Sequence, residues 1–397
     1  MRPRSWWRGL LLLAWLPPLL MQSAASLHAQ PDVAIKAAHA ILIDADTGGT
    51  LFQRGADELI YPASMSKLMV LTMVFKSLKA GEIKPDDEWL MSEFAWRRGG
   101  APSGTSAMMV PVGTKATVED LLKGIIVQSG NDAAIALAEL VGGSESNFVQ
   151  LMNATAKRIG MTHTNYADVN GMPDPQHYTT AGDLAVLSAR LIRDFPEYYS
   201  IFSVKDFTYN KIKQPNRNRL LWIDPTVDGL KTGHTKAAGY CLIASAKRPL
   251  AGVPDASRRL VAVMMGEPKE HNRVQDSLKM LNYGYTAYDA LRLYKAGQVI
   301  ETPRVYKGSQ DTVKLGVTTD QYITLPKGLA DKVKPQVEHA DPLIAPITEG
   351  QQVGTVKFVA DGKTLAQVPL VALQAVPQAG IVGRVWDSMM LMFNKKK

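Results

Sequence analysis

The sequence predicts an α/β (α+β) fold: a large domain of helices packed on an antiparallel sheet, a small all-β domain after it, and a C-terminal amphipathic helix. Three observations carry this. Up to residue 287, strand-like runs bounded by turn residues are mixed with long apolar helical runs. From residue 288 only short β-like runs remain, broken by Gly, Pro and Asp, and the last residues return to a helical period. The expected divisions are 1–29, 30–287, 288–376 and 377–397.

At the N-terminus, Arg2, Arg4 and Arg8 precede an apolar stretch over 9–20, with small residues at Ser23, Ala24, Ala25 and Ala29. This is the pattern of a secretory signal, with cleavage after Ala29 or, alternatively, Ala25; Pro17 and Pro18 argue against a permanent span. A secreted chain whose only cysteine is Cys241 can form no internal disulfide, so its stability must come from a large core. Residues 40–44 and 50–52 read as a hairpin across Thr47-Gly48-Gly49. Pro62 cannot extend a helix from upstream, and residues 65–80 predict one starting there. Met65, Leu68, Met69, Val70, Leu71, Met73, Val74 and Phe75 leave it few polar positions, so it should be the buried central helix.

Thr117-Val118-Glu119-Asp120 resembles a capping sequence ahead of Leu121, Leu122, Ile125, Ile126 and Val127, and a second helical run over 133–141 stops at Gly142-Gly143. Residues 240–246 read as a buried strand, in which Cys241 packs as a small apolar residue. The β-like runs of the second domain are 299–300, 312–317, 321–325, 334–338, 352–358 and 367–371. In the tail, Ile381, Val382, Val385, Trp386, Met389, Met390, Met392 and Phe393 share one broad helical arc, opposite Gly383, Arg384, Asp387 and Asn394.

Three short strings carry chemistry, in the order Ser64-Met65-Ser66-Lys67, Ser129-Gly130-Asn131 and Lys231-Thr232-Gly233. A serine hydroxyl is a poor nucleophile until a base takes its proton, and residues three apart on a helix share a face, so Lys67 is the expected base for Ser64. The helix start also leaves N–H groups free for an oxyanion. A neutral lysine costs roughly 4–5 kcal/mol at pH 7 from an ordinary pKa of about 10.4. Burial, and a second cation at Lys231, should therefore depress it. Ser129, in a loop between helices, is placed to relay a proton to a leaving amine, with the Asn131 amide orienting Lys67 and the substrate backbone. A peptide added along the Lys231-Thr232-Gly233 strand would have its terminal carboxylate held by Lys231 and Thr232. Gly233 would let its backbone approach closely, and His234 would lend a backbone N–H as second oxyanion donor. Arg217 either adds a bidentate carboxylate contact or is a surface arginine in a basic loop.

Longer strings extend these motifs: Tyr61-Pro62-Ala63-Ser64, Gln128-Ser129-Gly130-Asn131-Asp132-Ala133, Gln214-Pro215-Asn216-Arg217-Asn218-Arg219-Leu220-Leu221-Trp222 and Val227-Asp228-Gly229-Leu230-Lys231-Thr232-Gly233. On these, residues from about 32 to 287 resemble the D-alanyl-D-alanine carboxypeptidases of the low-molecular-mass penicillin-binding protein class, with a serine β-lactamase/transpeptidase-like fold. The resemblance implies Ser64 as nucleophile, Lys67 as base, Ser129 and Asn131 as the middle motif and Lys231 as carboxylate ligand. It further implies removal of the terminal D-alanine from peptidoglycan pentapeptide stems through an acyl-enzyme, and β-lactam antibiotics as covalent inhibitors of the same serine. Whether Lys67 or Ser129 protonates the leaving group stays open, as does transfer to an amine in place of water, although the resemblance favours water. No E-x-x-L-N string supplies the extra glutamate of class A β-lactamases, which points to slow penicillin release. Intact Ser64, Lys67, Ser129 and Lys231 argue against a merely wall-binding protein. The second domain would hold the first away from a membrane or bind a partner.

The formal charge is +8, but the first segment carries three positives and the tail a net three, leaving +2 and no case for nucleic acid. The histidines show no metal-ligand spacing, and no metal or cofactor is expected. At about 1.5 Å per residue the tail helix is shorter than the roughly 30 Å hydrocarbon core, and Arg384 and Asp387 would be costly inside it. It is expected to lie on an anionic membrane surface through 377–397, with Trp386 at the headgroups and Lys395, Lys396 and Lys397 on anionic lipid; docking on the protein's own body is the alternative. The expected location is the periplasm, at the outer face of the cytoplasmic membrane.

Overall fold

The computed structural model describes residues 33–394, so the expected signal segment and Lys395, Lys396 and Lys397 lie outside the described residues, as does the side chain of Phe393. The first domain is built on a five-stranded antiparallel sheet, in the order Thr50–Arg54, His39–Asp44, Ser257–Glu267, Gly239–Pro249, Val227–Thr235. The expected hairpin is its first pair, with Leu42 opposite Phe52 and a bulge after Leu42. Alternate residues of the three central strands enter different cores. Ile41, Ile43, Ile243, Val261 and Val263 face the helices that include the central one, whereas Leu42, Leu242, Ala244, Leu260 and Ala262 face Met280 and Leu281 of the helix Glu270–Ala287. A sheet covered on both faces needs apolar residues at every position, which is why these strands read as unbroken apolar runs.

The central helix is Lys67–Lys79, entered through a 3₁₀ turn, Ala63–Ser66, so the α-helix begins two residues later than expected. Thr117 caps the helix Val118–Gln128 by accepting from Asp120 N–H at 3.1 Å. Ser129 ends that helix in the left-handed region (φ 62°), and Asn131–Gly142 follows.

The second domain holds a five-stranded sheet in the order Val299–Glu301, Leu315–Gly316, Lys363–Ala372, Gln352–Ala360, Lys334–His339, around a core that includes Val305, Leu315, Ile323, Val356, Phe358 and Leu370. Several strands escaped the sequence reading, among them Ser257–Glu267 in the first domain, the short pair Val305–Tyr306 and Leu343–Ile344, and Tyr288–Tyr294, paired with Gln321–Pro326. All residues of Tyr288–Tyr294 are half-buried, so no period-2 contrast marks that strand. The run expected over 312–317 is a strand only at Leu315–Gly316.

The tail forms the helix Ile381–Asn394. Its polar side faces the second domain: Asp387 accepts from Lys307 N–H at 2.5 Å and lies 3.8 Å from the Arg304 guanidinium. Ile381, Val382, Val385, Trp386, Met389 and Met392 are left exposed. No helix among the described residues is long and apolar enough to cross a membrane.

Candidate active site

The three strings meet at the open edge of the first sheet, where Val227–Thr235 pairs on one side only and packs its other side on the Ala63–Ser66 turn. A 3₁₀ turn has three residues per repeat, so positions i and i+3 eclipse. Lys67 Nζ accordingly lies 3.0 Å from Ser64 Oγ and donates to the Asn170 carbonyl at 2.8 Å. Lys67 has no solvent contact. Burial pushes its pKa down to about 7; Arg217 pushes the same way, while Asp168 and Asp132 oppose. Lys67 and Lys231 repel each other as expected, an effect that shows on Lys231, and Arg217 adds to it.

The left-handed conformation of Ser129 turns its hydroxyl inward to accept from Lys231 Nζ at 3.0 Å. Lys231 also donates to the Thr232 carbonyl at 2.8 Å. Burial, then Lys67, Arg217 and Arg273, hold the Lys231 amine well below the usual lysine range. Four basic side chains thus crowd one site, and each disfavours the charge of the others. Thr232 is buried beside Lys231. His234 is exposed, its ring stacked on Tyr240 with centroids 4.0 Å apart.

Three expectations change. A Cβ on Gly233 would lie 3.2 Å from Ser64 N and 3.1 Å from the Met65 methyl, so the backbone that this glycine admits is the chain's own nucleophile turn. Asn131 does not bond Lys67: its Nδ2 donates to Thr105 Oγ1 at 2.8 Å, and its buried Oδ1 has no protein partner, which leaves an acceptor for a substrate N–H. Arg217 is no loose surface residue, since it donates to Ser106 Oγ at 2.7 Å and to Gln128 Oε1 at 2.9 and 3.2 Å. Sequence reasoning also missed partners of the site. Thr105 and Ser106 follow the 3₁₀ turn Ala101–Ser103 and belong to no motif, Asn170 supplies the carbonyl on Lys67, and Arg273 donates to the Gly233 carbonyl at 3.2 Å. Only Asn170-Gly171 carried a signal, that of a turn.

Comparison with known proteins agrees over both domains. The family model for D-alanyl-D-alanine carboxypeptidase matches residues 24–269, and that for the penicillin-binding protein 5 C-terminal domain matches 288–378. The chain is 42% identical to D-alanyl-D-alanine carboxypeptidase DacA of Haemophilus influenzae, over 88% of each chain. It is 40% identical to DacC of Escherichia coli, over 89% of this chain and 88% of the relative. The structure of penicillin-binding protein 5 from Haemophilus influenzae superposes with a TM-score of 0.81 at 41% identity, covering 88% of this chain and all (100%) of the other. With a serine and two buried amines gathered at one sheet edge, the chain belongs to the D-alanyl-D-alanine carboxypeptidase family of serine peptidases.

Proposed function

We propose that this enzyme removes the terminal D-alanine from peptidoglycan pentapeptide stems through an acyl-enzyme on Ser64. The observation that carries the reading is the fully buried Lys67 amine 3.0 Å from Ser64 Oγ. Neutral Lys67 takes the Ser64 proton as Oγ attacks the carbonyl of the penultimate D-alanine, and the oxyanion forms at the backbone N–H groups of Ser64 and His234. As the C–N bond breaks, the leaving amine gains the proton, relayed through Ser129. Water then attacks the ester, its proton returning through Lys67 to free Ser64. Lys231, Thr232 and Arg217 hold the terminal carboxylate, and the free Asn131 Oδ1 accepts from the substrate backbone. β-Lactams acylate the same serine because they mimic the dipeptide.

The test is to incubate the mature protein with penicillin, locate the adduct by mass, and time its loss alongside D-alanine release from a Lys-D-Ala-D-Ala peptide. A slowly lost adduct on Ser64 with D-alanine release is expected. Fast penicillin turnover would indicate a lactamase, and no adduct a binding module.

The reading extends to place: a chain secreted by residues 1–29 and held peripherally at the outer face of the cytoplasmic membrane by 377–397. Support comes from the tail helix, whose polar side is engaged by Arg304 and Lys307 while Trp386 and its apolar neighbours face outward. A helix docked by its polar side has its apolar face left for lipid. Deleting 377–397 should move the protein into the soluble fraction; continued membrane sedimentation would contradict the anchor.

A further inference from the structure

The turn that touches Lys67 is built by one carboxylate. Asp168 Oδ1 accepts from the backbone N–H groups of Asn170 and Gly171, both at 2.7 Å, an Asx-type turn that reverses the chain. Gly171 sits at φ +83°, and a Cβ there would lie 1.6 Å from the Ala63 carbonyl oxygen, so this turn is pressed onto the turn that carries Ser64. The result is the Asn170 carbonyl at 2.8 Å from Lys67 Nζ and 3.5 Å from Ser64 Oγ. A neutral amine has two N–H groups and one lone pair; tying one N–H to a fixed carbonyl limits how it can rotate and favours the lone pair meeting the serine hydroxyl.

The other side of the carboxylate is also enclosed. Asp168 Oδ2 lies 3.8 Å from His177 Nδ1, beyond hydrogen-bond reach, and His177 Nε2 lies 2.8 Å from Ser66 Oγ, the residue before Lys67. His177 is fully buried.

We infer that Asp168 is a positioning residue for Lys67, which folds the turn that presents the Asn170 carbonyl to its amine and brings a carboxylate into its surroundings. The inference rests on the reading of Lys67 as the base of Ser64. Burial pushes the Asp168 carboxyl up, but the His177 ring and the Gly171 and Asn170 N–H groups outweigh it and hold the group below the usual carboxylate range, hence ionised. Its charge favours protonated Lys67, as does that of Asp132, against Arg217; Glu145, beside Val169, and His177 are the other titratable groups around it. Asp168 therefore supports the base in two opposed ways: it fixes the amine, and it keeps the proton affinity from falling further.

The two contributions separate in Asp168→Asn and Asp168→Ser, whose side-chain oxygens can still accept the turn N–H groups without the charge. The readout is the second-order rate of penicillin acylation against pH, with thermal unfolding alongside. The midpoint of the rising limb should move down by about half a unit or more, while the plateau, which the retained turn sets, should stay within roughly ten-fold of the wild type. A folded variant with an unmoved or raised midpoint overturns the inference, whatever its plateau. If neither variant folds, Asp168 belongs to the fold and not to the site, which also overturns it. A wild-type protein without a Ser64 adduct or without the limb overturns the Lys67 reading itself.

Discussion

As the proposed base of Ser64, Lys67 would work only when it has lost its proton, so its environment should be visible in kinetics. With its pKa lowered to about 7, acylation of Ser64 by penicillin should rise about ten-fold per pH unit below 7 and level off above, because only the neutral fraction can accept the serine proton. A rate profile with no basic group below about 9 would contradict this. Gly171 offers a second check at this scale. Gly171→Ala puts a Cβ where the Ala63 carbonyl stands, at a φ that disfavours side chains by about 1–2 kcal/mol before any clash. Acylation should fall by more than roughly ten-fold with a lower melting temperature; unchanged acylation would mean that the turn does not hold the site. The sequence could name Ser64 and Lys67 because an i, i+3 spacing is local. It could not name Asn170, whose contribution is a backbone oxygen that any residue type carries.

Among elements, the end of the strand Ser257–Glu267 carries an internal tension. Glu267 is fully buried, and burial together with the nearby Asp276, on the helix Glu270–Ala287, raises its pKa to about 7. Between its ordinary 4.5 and about 7 the folded protein keeps a proton that the unfolded chain releases, so this group's contribution to stability falls as pH rises through that window. Glu267→Gln should leave the melting temperature near pH 5 almost unchanged. At pH 8 it should raise it, by about 2–4 °C per kcal/mol relieved. Calorimetry at both pH values decides this, and equal effects would mean that the carboxyl is not strained. Element type was read from several plainly apolar runs, such as 240–246, although the equally apolar Ser257–Glu267 went unread. The strand Tyr288–Tyr294 could not be read that way, because half-burial everywhere leaves no contrast.

At the scale of the molecule, the two domains share a buried polar joint. Asp44, from the first hairpin, accepts from Arg258 Nε at 2.7 Å and from Thr324 Oγ1, in the second domain, at 2.6 Å; Arg258 also donates to the Gly284 and Tyr288 carbonyls at 3.1 Å. Asp44→Ala leaves a buried guanidinium without its carboxylate and should cost about 3–5 kcal/mol. Thr324→Val removes the link between domains alone and should cost about 1 kcal/mol. Denaturant unfolding of both variants tests the order; equal losses would show that the joint acts through Thr324. None of these three residues formed a string with another, since their pairing spans more than two hundred positions.

What the sequence by itself determined was local: Ser64 and Lys67 one turn apart, helix caps, several apolar strands, and the two-faced tail. These depend on neighbours along the chain, and the chain order preserves them. Only the tertiary structure decided that Arg217 joins the cations around Lys67, which carbonyl holds it, what approaches Gly233, and which side of the tail helix the second domain takes. Those are meetings of residues distant in sequence, made by packing, and no spacing in the chain records them.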